Sequence, residues 1–234
     1  MAEDRRVSDE AIWELTTVNR LRLAELLESL DGTQWRTETL CTGWTVHHMA
    51  AHLVQPMVVG FPQFLLAALR HRGNTARTVD AITRRLARRP REELTAALRR
   101  HSDDRLDPPR VGPMGPFSDS CIHLRDIARP LRLKADVPAR HWEVLMDHLA
   151  GPAVIPGLVP PGRIAGLELI AVDAGWQAGV GAPVRGTLEA LALGVTGRAV
   201  ALDELEGPGV ALLRTRLLEE ATPGPEGPLG KSAA

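Results

Sequence analysis

A histidine, an aspartate and a second histidine carry the chemistry this chain can do. His52 closes the run Gly43-Trp44-Thr45-Val46-His47-His48-Met49-Ala50-Ala51-His52-Leu53, on a face it shares with Met49, Leu53 and Pro56. An imidazole aimed into apolar surroundings needs a polar partner. Asp119 and His123 stand four apart in Ser118-Asp119-Ser120-Cys121-Ile122-His123-Leu124-Arg125-Asp126-Ile127. At about 3.6 residues per helical turn they project from one face, and Asp126 falls on that face as well. One His on one helix, with an Asp and a His on another, is how a bundle presents inward ligands to a divalent cation. Two nitrogens and one carboxylate leave coordination positions open, the mark of a catalytic rather than a structural site. A hydrogen-bonded core histidine beside a chance Asp-x-x-x-His pair is the alternative, and spacing leaves both open.

The neighbouring polar residues have plainer readings. His48, four before His52, forms a rival His-x-x-x-His pair and is read as lining the pocket. His47 falls on another face and is read as solvated. Cys121 sits two positions from both Asp119 and His123, so it points away from them as a packing thiol. Trp44 either anchors the start of its helix or walls the pocket. His141 and His148 lie outside the bundle pattern, as surface or interdomain residues.

The elements that must position these side chains are helical over the first two thirds. Ser8 is placed to cap a long amphipathic helix with Ile12, Leu15, Leu23, Leu26, Leu27 and Leu30 near helical spacing, stopped by Asp31-Gly32. Thr45 to Leu69 reads as a second helix that Pro56 and Pro62 kink or divide. Helical pattern returns over Ala76–Arg89 and Glu92–Arg105, stops at Asp107-Pro108-Pro109, and resumes over Phe117–Ala128 and Ala139–Leu149. The period then changes: Ile164–Val172 alternates like a strand, Asp173-Ala174-Gly175 turns, Trp176–Val180 pairs back, and Thr187–Leu193 suggests a helix. After Ala221 a Pro/Gly-rich run neither continues a helix nor buries a core, so residues 221–234 read as a disordered tail.

Composition narrows the function classes. With 234 residues, 44% of them hydrophobic, the chain is long enough for two small cores. No apolar stretch is long enough to span a bilayer, and the charged start Met1-Ala2-Glu3-Asp4-Arg5-Arg6 does not resemble a secretory leader, so a cytoplasmic protein is expected. Two cysteines without Cys-x-x-Cys spacing indicate neither a disulfide framework nor a structural zinc site, and both are read as reduced, mostly buried thiols. A formal net charge of -1 gives no pull toward nucleic acid or membrane, and the arginine-rich stretch from 70 to 110 lacks aromatic side chains on which bases could stack. No Gly-x-Ser-x-Gly elbow, Walker loop or Gly-x-Gly-x-x-Gly fingerprint occurs.

The string Leu40-Cys41-Thr42-Gly43-Trp44-Thr45-Val46, followed by Ala50-Ala51-His52-Leu53, resembles the signature of the mycothiol-dependent maleylpyruvate isomerase family, a branch of the DinB-like metal-binding four-helix bundles. His123-Leu124-Arg125-Asp126-Ile127-Ala128-Arg129-Pro130-Leu131 is similar to that family's second ligand helix. Gly166-Leu167-Glu168-Leu169, Asp173-Ala174-Gly175-Trp176 and Thr196-Gly197-Arg198 resemble its sterol-carrier-like C-terminal domain. The resemblance implies an α+β chain with a DinB-like four-helix bundle over 8–150 and a small α/β domain over 155–220. It puts the metal ligands at His52, Asp119 and His123, with zinc the usual metal. Asp119 stands where the family has Glu, one methylene longer, and His48 where an Asp is common. Asp126 matches, and there orients His123 or binds a substrate cation; with His48 it is assigned to the catalytic surroundings. The implied chemistry is S-transfer or thiol-assisted cis-trans isomerisation of a small, anionic electrophile with mycothiol as cosubstrate. Arg198 or Arg214 would reach the substrate from the second domain. The Ala-, Gly-, Pro- and Arg-rich composition fits an actinobacterial mycothiol producer. Two other classes stay open: a metal-dependent enzyme that uses no thiol, and a non-catalytic small-molecule binder. Oligomeric state has no signal in the sequence.

Overall fold

In the computed structural model, residues 7–105, 111–155 and 157–221 are described. They form two compact units that divide between Val137 and Pro138.

Among the described residues, six α-helices build the first unit. α1 (Asp9–Ser29) opens at Ser8, whose Oγ accepts a hydrogen bond from the Ala11 N–H at 3.3 Å. The stretch expected as one kinked helix is two, α2 (Val46–Val58) and α3 (Phe61–Arg70). Pro56, four residues after His52, has no N–H for the His52 carbonyl, so α2 ends within a turn of it. Gly60 then caps α3 in an extended conformation, and Pro62 sits in a first turn that needs no N–H. α4 (Thr75–Leu86) is capped by Asn74, whose Oδ1 accepts from the Arg77 N–H at 2.9 Å. α5 (Arg91–Arg100) stops short of the expected Arg105, and the stop signal at 107–109 lies outside the described residues. α6 (Met114–Ala128) begins three residues before the expected Phe117, because Pro116 is tolerated in a first turn.

α1 packs on α5 and α6, and α2 packs on α4, α5 and α6, so α1, α2, α5 and α6 make a four-helix core. Leu23 and Leu27, Met49, Leu94 and Leu98, and Phe117, Leu124 and Ile127 fill it, all but fully buried. Burial of each such side chain stabilises by roughly 1.5–3 kcal/mol, which holds α2 and α6 face to face. The Asn19 amide fixes how α1 lies on α6: it donates to Ser120 Oγ at 3.0 Å and contacts Cys121 Sγ at 3.1 Å. Cys121 is the expected packing thiol, its pKa pushed up by burial.

The second unit begins with α7 (Ala139–Leu149), which packs on α8 (Leu188–Val195); the division therefore falls before α7 and not near residue 150. β1 (Leu167–Ala171) buries Leu167, Leu169 and Ala171 in alternation, lies antiparallel to β2 (Gln177–Gly179), and runs parallel to β3 (Ala182–Gly186) in the order β2-β1-β3. β3 gives no sequence signal because Pro183 argues against a strand; it is tolerated here because β3 is an edge. α9 (Gly209–Ala221) is likewise unannounced, burying a stripe with little beyond Leu213 and Leu217. His141 is buried rather than on the surface, and His148 is half-buried, with Nε2 accepting from the Ile155 N–H at 3.3 Å. Apart from Ala221, the expected tail lies outside the described residues. No helix among the described residues is long and apolar enough to cross a membrane.

Candidate metal centre

Facing helices and one loop assemble the centre in the first unit. The loop runs from Thr37 into α2, with Val46 N–H bonding the Thr37 carbonyl at 3.0 Å and Thr39 N–H the Trp44 carbonyl at 2.8 Å. Gly43 takes φ +78° inside it, a conformation that a Cβ makes costly, and the turn closes with Trp44 N–H on the Cys41 carbonyl at 3.0 Å. Trp44 is thereby laid against His52, ring centroids 5.0 Å apart, and its indole N–H donates to Asp80 Oδ1 of α4 at 2.9 Å.

His52 from α2 meets His123 from α6 edge to face at a centroid distance of 5.1 Å. Asp119, one turn before His123, places Oδ1 3.8 Å from His123 Nε2. One ligand atom each of His52, Asp119 and His123 lies within 4.8 Å of the others. Two bonds of roughly 2.0–2.2 Å at a tetrahedral angle separate their ligand atoms by about 3.4 Å, so the group needs to close only slightly around an ion. Asp119, though shorter than a glutamate, thus lies within the same group. His52 Nδ1 is buried without a hydrogen-bond partner, an arrangement that costs about 1–3 kcal/mol unless something else binds there. His52, Asp119 and Arg20 line a cavity of about 20 Å³. The donor set, the orphaned nitrogen and the cavity fit a divalent cation.

Electrostatics divide the two imidazoles. Burial, reinforced by the charge of His123, pushes His52 down to about 4, so it is neutral and free to donate a lone pair. Burial works against charge on His123 too, but its hydrogen bonds to Asp126 and Cys41 and the nearby Asp119 carboxylate outweigh it and raise the group to about 10. His123 Nδ1 donates to Asp126 Oδ2 at 2.8 Å, and Asp126 is wholly buried. That bond keeps a proton on Nδ1 and directs Nε2 toward Asp119, the tautomer a metal ligand needs. Asp126 thus orients His123.

Sequence reasoning missed Cys41. Its thiol donates to Asp126 Oδ2 at 3.3 Å, so Asp126 is shared between a thiol and an imidazolium, and Cys41, His123 and Asp126 form a second compact group of potential ligands. No local signal marks this, because the loop and α6 meet only through the fold: Leu40 N–H bonds the Asp126 carbonyl at 3.1 Å.

The other expected site residues lie elsewhere. His48 closes the first turn of α2: its Nδ1 accepts from the Thr45 N–H at 3.3 Å and contacts Thr45 Oγ1 at 2.9 Å, and it belongs to neither ligand group. His47 is not simply solvated, since Nε2 meets the Arg89 carbonyl at 3.0 Å. In the second unit the Arg198 guanidinium donates to the Thr196 carbonyl at 2.8 Å, and Arg214 pairs with Asp203 at 2.9 Å on an exposed face.

Fold and site together define a helical bundle with an interior histidine–carboxylate centre, joined to a small α/β unit. Residues 19–116 match the model of the family described as the mycothiol maleylpyruvate isomerase N-terminal domain. Two solved structures share the fold at a TM-score of 0.53 each: mycothiol-dependent maleylpyruvate isomerase, 18% identical, and a histidine-to-alanine mutant of it, 17% identical. Each match covers 89% of this chain and 96% of theirs. No curated protein matches the chain significantly.

Proposed function

We propose that this chain is a metal-dependent enzyme that uses a low-molecular-weight thiol, mycothiol, to isomerise or S-conjugate a small electrophile. The carrying observation is that one ligand atom each of His52, Asp119 and His123 lies within 4.8 Å of the others, while His52 Nδ1 is buried without a hydrogen-bond partner. Those three residues would hold the cation, zinc being the best match to two imidazoles and a carboxylate. When bound, it would keep a thiol in its nucleophilic anionic form near neutral pH. To serve as a ligand His123 would give up its Nε2 proton, while the hydrogen bond to Asp126 keeps the one on Nδ1. Trp44 packs against the His52 ring, and Asp80 holds the indole in place. The thiol adds to an activated double bond, which permits rotation before it leaves, or it stays on the product.

The test is turnover of maleylpyruvate and of a simple electrophile panel by the zinc-loaded protein with and without mycothiol. Activity that requires both, and that a chelator removes, is expected. A second reading, with water in place of the thiol, draws on the small cavity. Equal turnover without any thiol would establish it and overturn the first.

A further inference from the structure

Arg20 is 5% exposed, on the face of α1 that packs in the bundle. Its Nη1 donates to the Ser102 carbonyl at 3.2 Å and the Asp104 carbonyl at 2.7 Å, just beyond the end of α5. No carboxylate pairs with it among the described residues. A guanidinium carries five donors in a rigid fork, and both of Arg20's bonds to protein carbonyls are made by Nη1, which leaves Nε and Nη2 available to a ligand. Burying such a charge without a counter-ion costs several kcal/mol, and the desolvation lowers its pKa to about 10. Asp104, Asp119 and Asp103, in falling order, act on it electrostatically, but none of their carboxylates bonds to it. The same side chain lines the cavity that His52 and Asp119 line.

If Arg20 served only to bind the turn after α5, its place in the lining of the cavity would be incidental. A counter-ion entering the cavity would instead meet Arg20 on one side and the ligand group on the other. We propose that Arg20 binds a carboxylate group of the substrate and sets the enzyme's preference for anionic over neutral electrophiles. This rests on the function proposed above. It also moves anion recognition from the arginines of the second unit to the first helix of the bundle. With a cation bound, the Asp119 charge is neutralised and no longer repels the incoming carboxylate, so both halves of the site favour the same ligand.

The experiment follows the Arg20 Nε–Hε resonance of the zinc-loaded protein during titration with formate, with formamide as the neutral control. Formate is expected to move that resonance saturably, and formamide to leave it in place. Arg20→Met should weaken formate binding at least tenfold, read from the imidazole resonances of His52 and His123, and Arg20→Lys should weaken it less. Chelator competition on the same variants should give zinc affinities within a few-fold of the native protein. An unmoved Arg20 resonance in the native protein with zinc bound overturns the proposal and leaves the metal reading standing, as does formate binding of native strength in Arg20→Met. Failure to bind zinc sinks the metal reading instead, and the metal-free native protein then decides for or against Arg20 by the same resonance. Because that readout uses the native chain, misfolding of a variant does not blunt it.

Discussion

Metal uptake should expel a proton from His123, and the cost of expelling it should dominate the pH dependence of affinity. With that group at about 10 in the metal-free protein, near pH 7.5 the imidazolium is favoured by about 2.5 pH units, or about 3 kcal/mol. The cation must displace that proton from Nε2 before it binds, so the apparent affinity near pH 7.5 should be about 300-fold below its limit. It should rise about tenfold per pH unit until His123 is deprotonated. His52 adds nothing in this range, because burial already keeps it neutral. Calorimetric titration of zinc in two buffers of different ionisation enthalpy counts the protons released, and competition with a chelator from about pH 6.5 to 9 gives the slope. Asp126→Asn removes the acceptor that holds the charge, so proton release should fall from about one to nearly none and the slope should flatten. Intrinsic affinity should drop about 10- to 100-fold with the lost orientation of the ring. A pH-independent affinity with no proton release would refute the reasoning: either His123 is neutral beside Asp126, or it is not a ligand.

Two further outcomes test parts of the same picture. Asp119→Ala should lower zinc affinity strongly while Asp119→Glu keeps it, because Asp119 Oδ1 already lies 3.8 Å from His123 Nε2 and a longer side chain also spans the gap; equal affinities in all three proteins by chelator competition would take the carboxylate out of the ligand set. His148, whose pKa burial lowers while Nε2 accepts from Ile155, makes the opposite demand on pH: its contribution to stability is present above its unfolded pKa of about 6.5 and is lost as pH falls toward the folded value. The unfolding temperature of the native protein should therefore decline in mild acid, and His148→Gln should decline less.

What the sequence discloses depends on whether a signal is local. The period of α1, the Asp119–His123 spacing on α6 and the alternation of β1 are short-range patterns, and the helices and strand they announce form. Element ends are less legible, because whether Pro56 kinks α2 or ends it turns on whether the next residues can cap a new helix, as Gly60 does. β3 escapes because a proline is forbidden in a strand interior and harmless at an edge, and edge position is a property of the whole sheet.

The same distinction explains the residues around the centre. His52, Asp119 and His123 show themselves as polar groups on apolar or shared faces, whereas Cys41 and Arg20 lie far along the chain from what they contact. Cys41 reaches Asp126 only because the loop before α2 bonds to the end of α6, and Arg20 reaches the cavity only because α1 packs across α5. Their chemistry is of the second kind: each modifies a group that is already assembled. Cys41 completes the hydrogen bonding of the carboxylate that orients His123, so replacing it changes the proton held by that histidine without removing a predicted ligand. A centre whose tuning residues come from loops and from the opposite side of a bundle can keep its ligand pattern while its pH response and ligand preference change, which is why the pattern alone points to a metal and not to a substrate.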